Sequence, residues 1–307
     1  MDGLHPQVQA LLQSAAGEGD PPDLAADRAG YLQTAVELGG AIEPVAAVDD
    51  VVIPRADGGR VPARVYRPQV ATGDGAILYF HGGGWYVGDI ETHDRVTRAL
   101  ANAAGHAVVS VDYRLAPECP YPAAVQDADG AAAWIRDAGA RQLDVDPARV
   151  ALGGDSAGGT LAALAAQHAR GDGLPPVRAQ LLVYPATDAA MDTPSYREFA
   201  DGPMVTAADM ERCWSGWLGE DGHADAASPL RATDLAGLPP TAIAVAGMDP
   251  LRDDGLRYAE ALRAAGVPVE VAVYDDMAHG FIRWGGVVDR AGELLGWLGE
   301  RARAALG

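Results

Sequence analysis

Along this chain, hydrophobic positions fall into two kinds of pattern. Near the start they recur at helical spacing: Leu4, Val8, Leu11 and Leu12 share one face, and "DRAGYLQTAVEL" (27–38) repeats the period, with Pro21 and Pro22 between the two. The pattern then shortens. Apolar strand candidates follow at 48–53, 61–67, 76–80, 107–112, 149–153, 179–184, 241–247 and 269–274. From residue 76 onward most are apolar at successive positions, as strands buried on both faces of a parallel sheet must be. Helical runs near 91–104, 120–139, 157–170, 253–265 and 287–306 alternate with them. Strand–helix alternation after an early hairpin predicts a three-layer α/β protein, with a mostly parallel eight-stranded sheet flanked by helices.

One interval breaks the rhythm. Residues 186–238 separate two strands by far more chain than a single crossover needs, and "TAADMERCWSGWLGE" within them starts a helix. We read 186–238 as an insertion over one end of the sheet, packed with residues 1–45 as a helical cap. The α/β core then occupies 46–185 and 239–307.

The sharpest local signal is "LGGDSAGGT" (152–160), where a predicted strand meets a predicted helix. Gly154-Asp155-Ser156-Ala157-Gly158 fits G-x-S-x-G, a turn that lifts a serine hydroxyl clear of a sheet. With 38 glycines in 307 residues and six serines, chance gives roughly 0.09 such matches. A phosphate loop would need a lysine, and all 23 basic residues are arginine. The missing lysine also excludes Schiff-base chemistry. A second signal, "YFHGGGWYVGD" (79–89), puts Gly82, Gly83 and Gly84 directly after a buried strand. Backbone N–H groups there, with that of Ala157, would form an oxyanion hole. His81 is read as a structural tie for that loop.

A serine nucleophile needs a base, and the base an orienting carboxylate. Only His168, His223 and His279 follow Ser156. His279 lies just beyond the last strand, where a loop reaches the serine, and is the expected base. Asp249 ends the preceding strand and is the expected acid; Asp253, Asp254, Asp275 and Asp276 are its rivals.

These stretches resemble the hormone-sensitive-lipase-like family of α/β-hydrolase esterases, through His81–Gly84, "DYRLAPE" (112–118), "GDSAGG" (154–159), "DPLRDD" (249–254) and "HGF" (279–281). The resemblance implies Ser156 as nucleophile, Asp249 as acid, His279 as base, and an oxyanion hole from Gly82, Gly83 and Ala157. It also implies a helical cap. Trp85, Tyr184, Met204, Trp214, Phe281 and Ile282 are candidates for the substrate pocket, and Tyr113, Arg114 and Glu118 for a polar network under the oxyanion loop.

The expected reaction is hydrolysis of short- to medium-chain esters through an acyl-enzyme, with activity lost in acid and no metal or organic cofactor. An amidase or deacetylase with the same three residues, or a non-catalytic receptor on the same fold, is the alternative. A net charge of −20 argues against nucleic acid and anionic membranes as partners. No apolar run has the length of a membrane span, the N-terminus lacks a basic, apolar leader, and Cys119 and Cys213 have no metal-ligand spacing. The expectation is a cytoplasmic protein with reduced thiols. The last strand, "VEVAVY", is a candidate free edge, and pairing of two such edges in a homodimer is a further expectation.

Overall fold

A computed structural model of the chain describes residues 3–15, 23–220 and 223–307. Its strands are β1 (Ala47–Pro54), β2 (Arg60–Arg67), β3 (Ala76–Phe80), β4 (Ala107–Val111), β5 (Val150–Asp155), β6 (Ala179–Val183), β7 (Thr241–Met248) and β8 (Val269–Ala278). They form one sheet in the order β1-β2-β4-β3-β5-β6-β7-β8. β1 and β2 make the early antiparallel hairpin, β2 runs antiparallel to β4, and the remaining neighbours are parallel. This is the α/β-hydrolase fold.

β3 shows why the central strands read as unbroken apolar runs. Ala76, Leu78 and Phe80 enter the core on one face, while Ile77 and Tyr79 enter the core on the other. A strand with helices on both sides has no position at which a polar side chain meets water. The helices are α1 (Pro6–Ala15), α2 (Leu24–Leu38), α3 (Asp94–Ala104), α4 (Ala123–Ile135), α5 (Ala138–Leu143), α6 (Ala157–His168), α7 (Pro194–Glu198), α8 (Ala207–Leu218), α9 (Ala224–Ala227), α10 (Arg252–Ala264) and α11 (Asp289–Leu306). α4, α6 and α10 bury their apolar faces in one core, α3 and α11 in the other.

Two expectations shift. The helical run at 120–139 is two helices, α4 and α5, because the chain turns at Arg136 and Asp137. β8 continues four residues past Tyr274, so it takes in Asp275 and Asp276 and delivers the chain directly to His279. It is one edge of the sheet, opposite β1, and Val273 there is 45% exposed.

Candidate active site

Ser156 sits between β5 and α6 with φ 54° and ψ −122°, a backbone state that costs a non-glycine residue strain. The surrounding glycines make the turn feasible. A Cβ on Gly154 would overlap the Gly158 carbonyl, and one on Gly158 would overlap the carbonyl of Phe80 at the end of β3. The glycines two residues either side of the serine are therefore dictated by close backbone approach.

β7 and β8 bring the partners. Ser156 Oγ–H donates to His279 Nε2 at 2.8 Å, and His279 Nδ1–H donates to Asp249 Oδ2 at 2.7 Å. The second Asp249 oxygen accepts the backbone N–H of Leu251 at 2.9 Å, which fixes the carboxylate plane. Asp249 is fully buried; Ser156 and His279 keep a narrow opening. An arrangement of this kind can deprotonate the serine and orient the imidazole that does so.

The rival acids have other work. Asp253 accepts the Ser195 N–H at 2.9 Å. Asp254 accepts the N–H groups of Thr187 at 3.0 Å and Asp188 at 3.3 Å. Burial raises its carboxyl to about 8. Asp276 lies 3.5 Å from Arg290. Of the other histidines, His168 pairs with Asp129 at 3.0 Å and His223 is exposed beside the Tyr121 ring.

His81 is the structural tie expected. Its Nδ1–H donates to the Gly82 carbonyl at 2.8 Å, its ring stacks on Tyr113, and burial lowers it to about 4, so it stays neutral. The polar network divides into separate ties. Tyr113 donates to the His81 carbonyl at 2.7 Å, Arg114 grips Asp127 on α4, and Glu118 reaches Arg28 on α2.

The expected oxyanion hole needs one correction. The N–H of Gly82 donates to Asp155 Oδ1 at 3.1 Å, and the residue is buried. It is therefore committed inside the protein. Gly83 and Gly84 are the partly exposed members of the run, and both line the cleft with Ser156 and His279. Ala157 opens α6, where first-turn N–H groups have no acceptor within the helix.

Asp155 was not singled out by the sequence reading beyond its place in the motif. It accepts the Tyr79 hydroxyl at 2.8 Å and lies 3.2 Å from His93 Nε2, as well as holding Gly82. Burial alone would raise its carboxyl, but His93 and Tyr79 bring it down to about 2. The residue before Ser156 thus clamps the start of the glycine loop.

The pocket candidates fare unevenly. Met204, 37% exposed, lines the cleft. Trp85, Tyr184, Trp214, Phe281 and Ile282 are core residues with almost no exposure. Trp85 stacks flat on Trp217, and Tyr184 packs between His279 and Phe281. Large apolar side chains next to the motifs support the site from behind. The cleft itself, about 550 Å³, is walled by α2 through Asp27, Tyr31 and Thr34, by α8 through Asp209 and Cys213, and by Arg283 and Trp284. α2 was legible as a helix; its place over the serine was not. Cys119 and Cys213 are free thiols, and burial raises Cys213 to about 12. Among the described residues no helix is long and apolar enough to cross a membrane.

Comparison with known proteins gives the family of the chain. A family model described as the alpha/beta hydrolase fold matches residues 77–283. "Esterase LipI" of Mycobacterium tuberculosis is 46% identical over 260 residues, spanning 82% of this chain and 80% of that protein. "Ethyl acetate hydrolase" of Pseudomonas putida is 35% identical over 306 residues, spanning 95% and 96%. Among solved structures, a hyperthermophilic esterase of Pyrobaculum calidifontis matches with a TM-score of 0.90 and 38% identity, covering 99% of each chain.

Proposed function

Because this chain belongs to the hormone-sensitive-lipase-like family of α/β-hydrolase esterases and is a carboxylic ester hydrolase, we propose that it cleaves esters through an acyl-enzyme formed on Ser156. The observation that carries this reading is the unbroken hydrogen-bond chain from Ser156 through His279 to Asp249 at the base of an open cleft. His279 takes the hydroxyl proton, and the alkoxide attacks the ester carbonyl. His279 then returns the proton to the leaving alcohol, and water repeats the cycle to free the acid. Asp249 holds the imidazole tautomer through His279 Nδ1–H. The developing oxyanion is received by the N–H groups of Gly83, Gly84 and Ala157. Gly84 takes the place that sequence reasoning gave to Gly82, whose N–H already serves Asp155.

Residues 1–45 and 186–238 act as the cap over core segments 46–185 and 239–307, a division supported by α2 and α8 walling the cleft. The cleft volume of about 550 Å³ suits a small ester. Similarity to a protein named for ethyl acetate supports short acyl chains. The free edge at β8 would pair with a second copy; a monomeric mass by light scattering would remove that part of the reading.

The deciding experiment is hydrolysis of nitrophenyl esters from acetate to palmitate, wild type beside Ser156→Ala. Activity peaking at short chains and lost with the hydroxyl is expected. Activity that survives the substitution would overturn Ser156 as nucleophile, and a peak at palmitate would overturn the size assignment.

A further inference from the structure

The cleft contains a cation that has no anionic partner among the described residues. Arg283 ends the short turn Phe281–Arg283, four residues after His279, and lines the cleft with Ser156 and His279. Its guanidinium carbon lies 3.7 Å from the centre of the Tyr31 ring, so α2 holds the group by a cation–π contact. Nε and Nη1 are buried, and no described residue accepts a hydrogen bond from either. Arg64, Arg114, Arg136 and Arg252 each grip a carboxylate.

The nearby acids are already engaged. Asp209 accepts the N–H and hydroxyl of Thr206 and pairs with Arg212. Asp155 is held by Tyr79, Gly82 and His93. Asp27 faces the Tyr86 hydroxyl, whose ionisation it opposes, and lies beside Arg28. Guanidinium donors withdrawn from water without an acceptor are costly to keep. A cleft that keeps them beside the reacting serine is built for a ligand that brings the acceptor.

We propose that Arg283 is the anion-recognition point of the cleft and that the ester bound there carries a second, ionised carboxylate. This rests on the esterase reading above and narrows its substrate class. A guanidinium matches a carboxylate with paired donors, which an uncharged acyl chain cannot use. The net charge of −20 repels such an ester at a distance. That repulsion is screened beyond about 10 Å at ordinary salt, whereas Arg283 acts on contact. The rival role for Arg283 is a counter-charge to buried Asp155, whose ionised form it favours. A counter-charge would serve neutral and anionic esters alike.

The test compares kcat/KM for monoethyl glutarate and for ethyl pentanoate, which carries a methyl where the first carries a carboxylate. Wild type, Arg283→Met and Arg283→Lys are measured. The glutarate-to-pentanoate ratio is expected to fall about tenfold or more in Arg283→Met, through KM, and to recover in part in Arg283→Lys. Equal losses on both esters would assign Arg283 to the counter-charge role and overturn the proposal. So would a ratio within roughly twofold of wild type. Calorimetry of monoethyl glutarate binding to Ser156→Ala, with and without Arg283→Met, reads the anion site without turnover. Weaker binding in the double variant supports the site even if the serine chemistry is wrong. Equal binding overturns it even if the serine chemistry is right.

Discussion

The floor and the roof of the cleft are built differently. On the floor, Ser156, His279 and Asp249 hang from the ends of three strands and are joined by short, buried hydrogen bonds. The roof, α2 and α8, meets the floor mostly through side chains, among them the half-exposed pair Arg28–Glu118, the Tyr31 ring against Arg283 and Trp217 against Trp85. Arg28 also donates to the carbonyls of Tyr86 and Ala116, which reach the far end of the glycine loop. Where strands fix the backbone, a hydrogen bond of defined length is maintained at little entropic cost. A helix packed by side chains can shift by fractions of an ångström and keep its contacts. Chemistry belongs to the first kind of region, and adaptation to different esters to the second.

Substitutions test that division. The largest effect is expected from Asp249→Asn on the floor: kcat falls about 10⁴-fold while the fold survives, because the wrong imidazole tautomer is held. Stopped assays together with thermal melts check it; a loss below roughly tenfold would put the acid elsewhere. Asp155→Asn comes next. It weakens the clamp on Gly82 and the His93 contact, and kcat should drop about 10²-fold, near the cost of losing one oxyanion donor. An unchanged kcat would mean the glycine loop holds its shape unaided.

The joint between floor and roof has a pH signature. Asp254 bolts residues 187 and 188, at the entry to the insertion, to α10. Burial raises its carboxyl to about 8 from an ordinary 3.8, so the folded protein retains a proton that the unfolded chain has released. The stability it contributes is complete below about 3.8 and is lost as pH rises through 8. His81 has the opposite sign. Lowered to about 4 from 6.5, it costs stability as pH falls from 6.5 towards 4. Melting temperatures of wild type and Asp254→Asn, measured from pH 5 to 9, should converge or cross as pH rises. A constant difference would contradict a buried, protonated Asp254. The smallest effect is expected from Arg28→Ala. The half-exposed pair contributes under about 1 kcal/mol and each hydrogen bond to the Tyr86 and Ala116 carbonyls about 1 kcal/mol, so stability should fall by roughly 1–3 kcal/mol while KM rises a few-fold as α2 loosens. A kcat loss as large as that of Asp155→Asn would make the roof part of the catalytic geometry.

Much of the floor was legible because its constraints are local or periodic. Gly154 and Gly158 are forced by the tight turn at Ser156, strand–helix alternation carries the three-layer, mostly parallel architecture, and Asp249 and His279 each stand at the end of a recognisable strand. Gly82 misled because three consecutive glycines look equivalent until Asp155 takes the N–H of one. All of the six pocket candidates but Met204 misled for a related reason. An aromatic beside a catalytic motif is equally suited to the core, and five of the six fill it. Arg283 and Tyr31, 252 residues apart, offered no signal, since nothing local records that α2 folds back over the turn after His279.

The sequence by itself therefore determined the α/β layering, the strained serine turn and the chain order of serine, strand-end carboxylates and histidine. Tertiary structure alone decided which glycine N–H groups face the cleft, which acid meets His279, and which side chains wall the substrate space. The physical reason is range. Backbone sterics and hydrophobic period act between near neighbours. The partner of a buried donor or charge is set by where distant segments dock, and a single carboxylate such as Asp155 can redirect a donor that the motif leaves undecided.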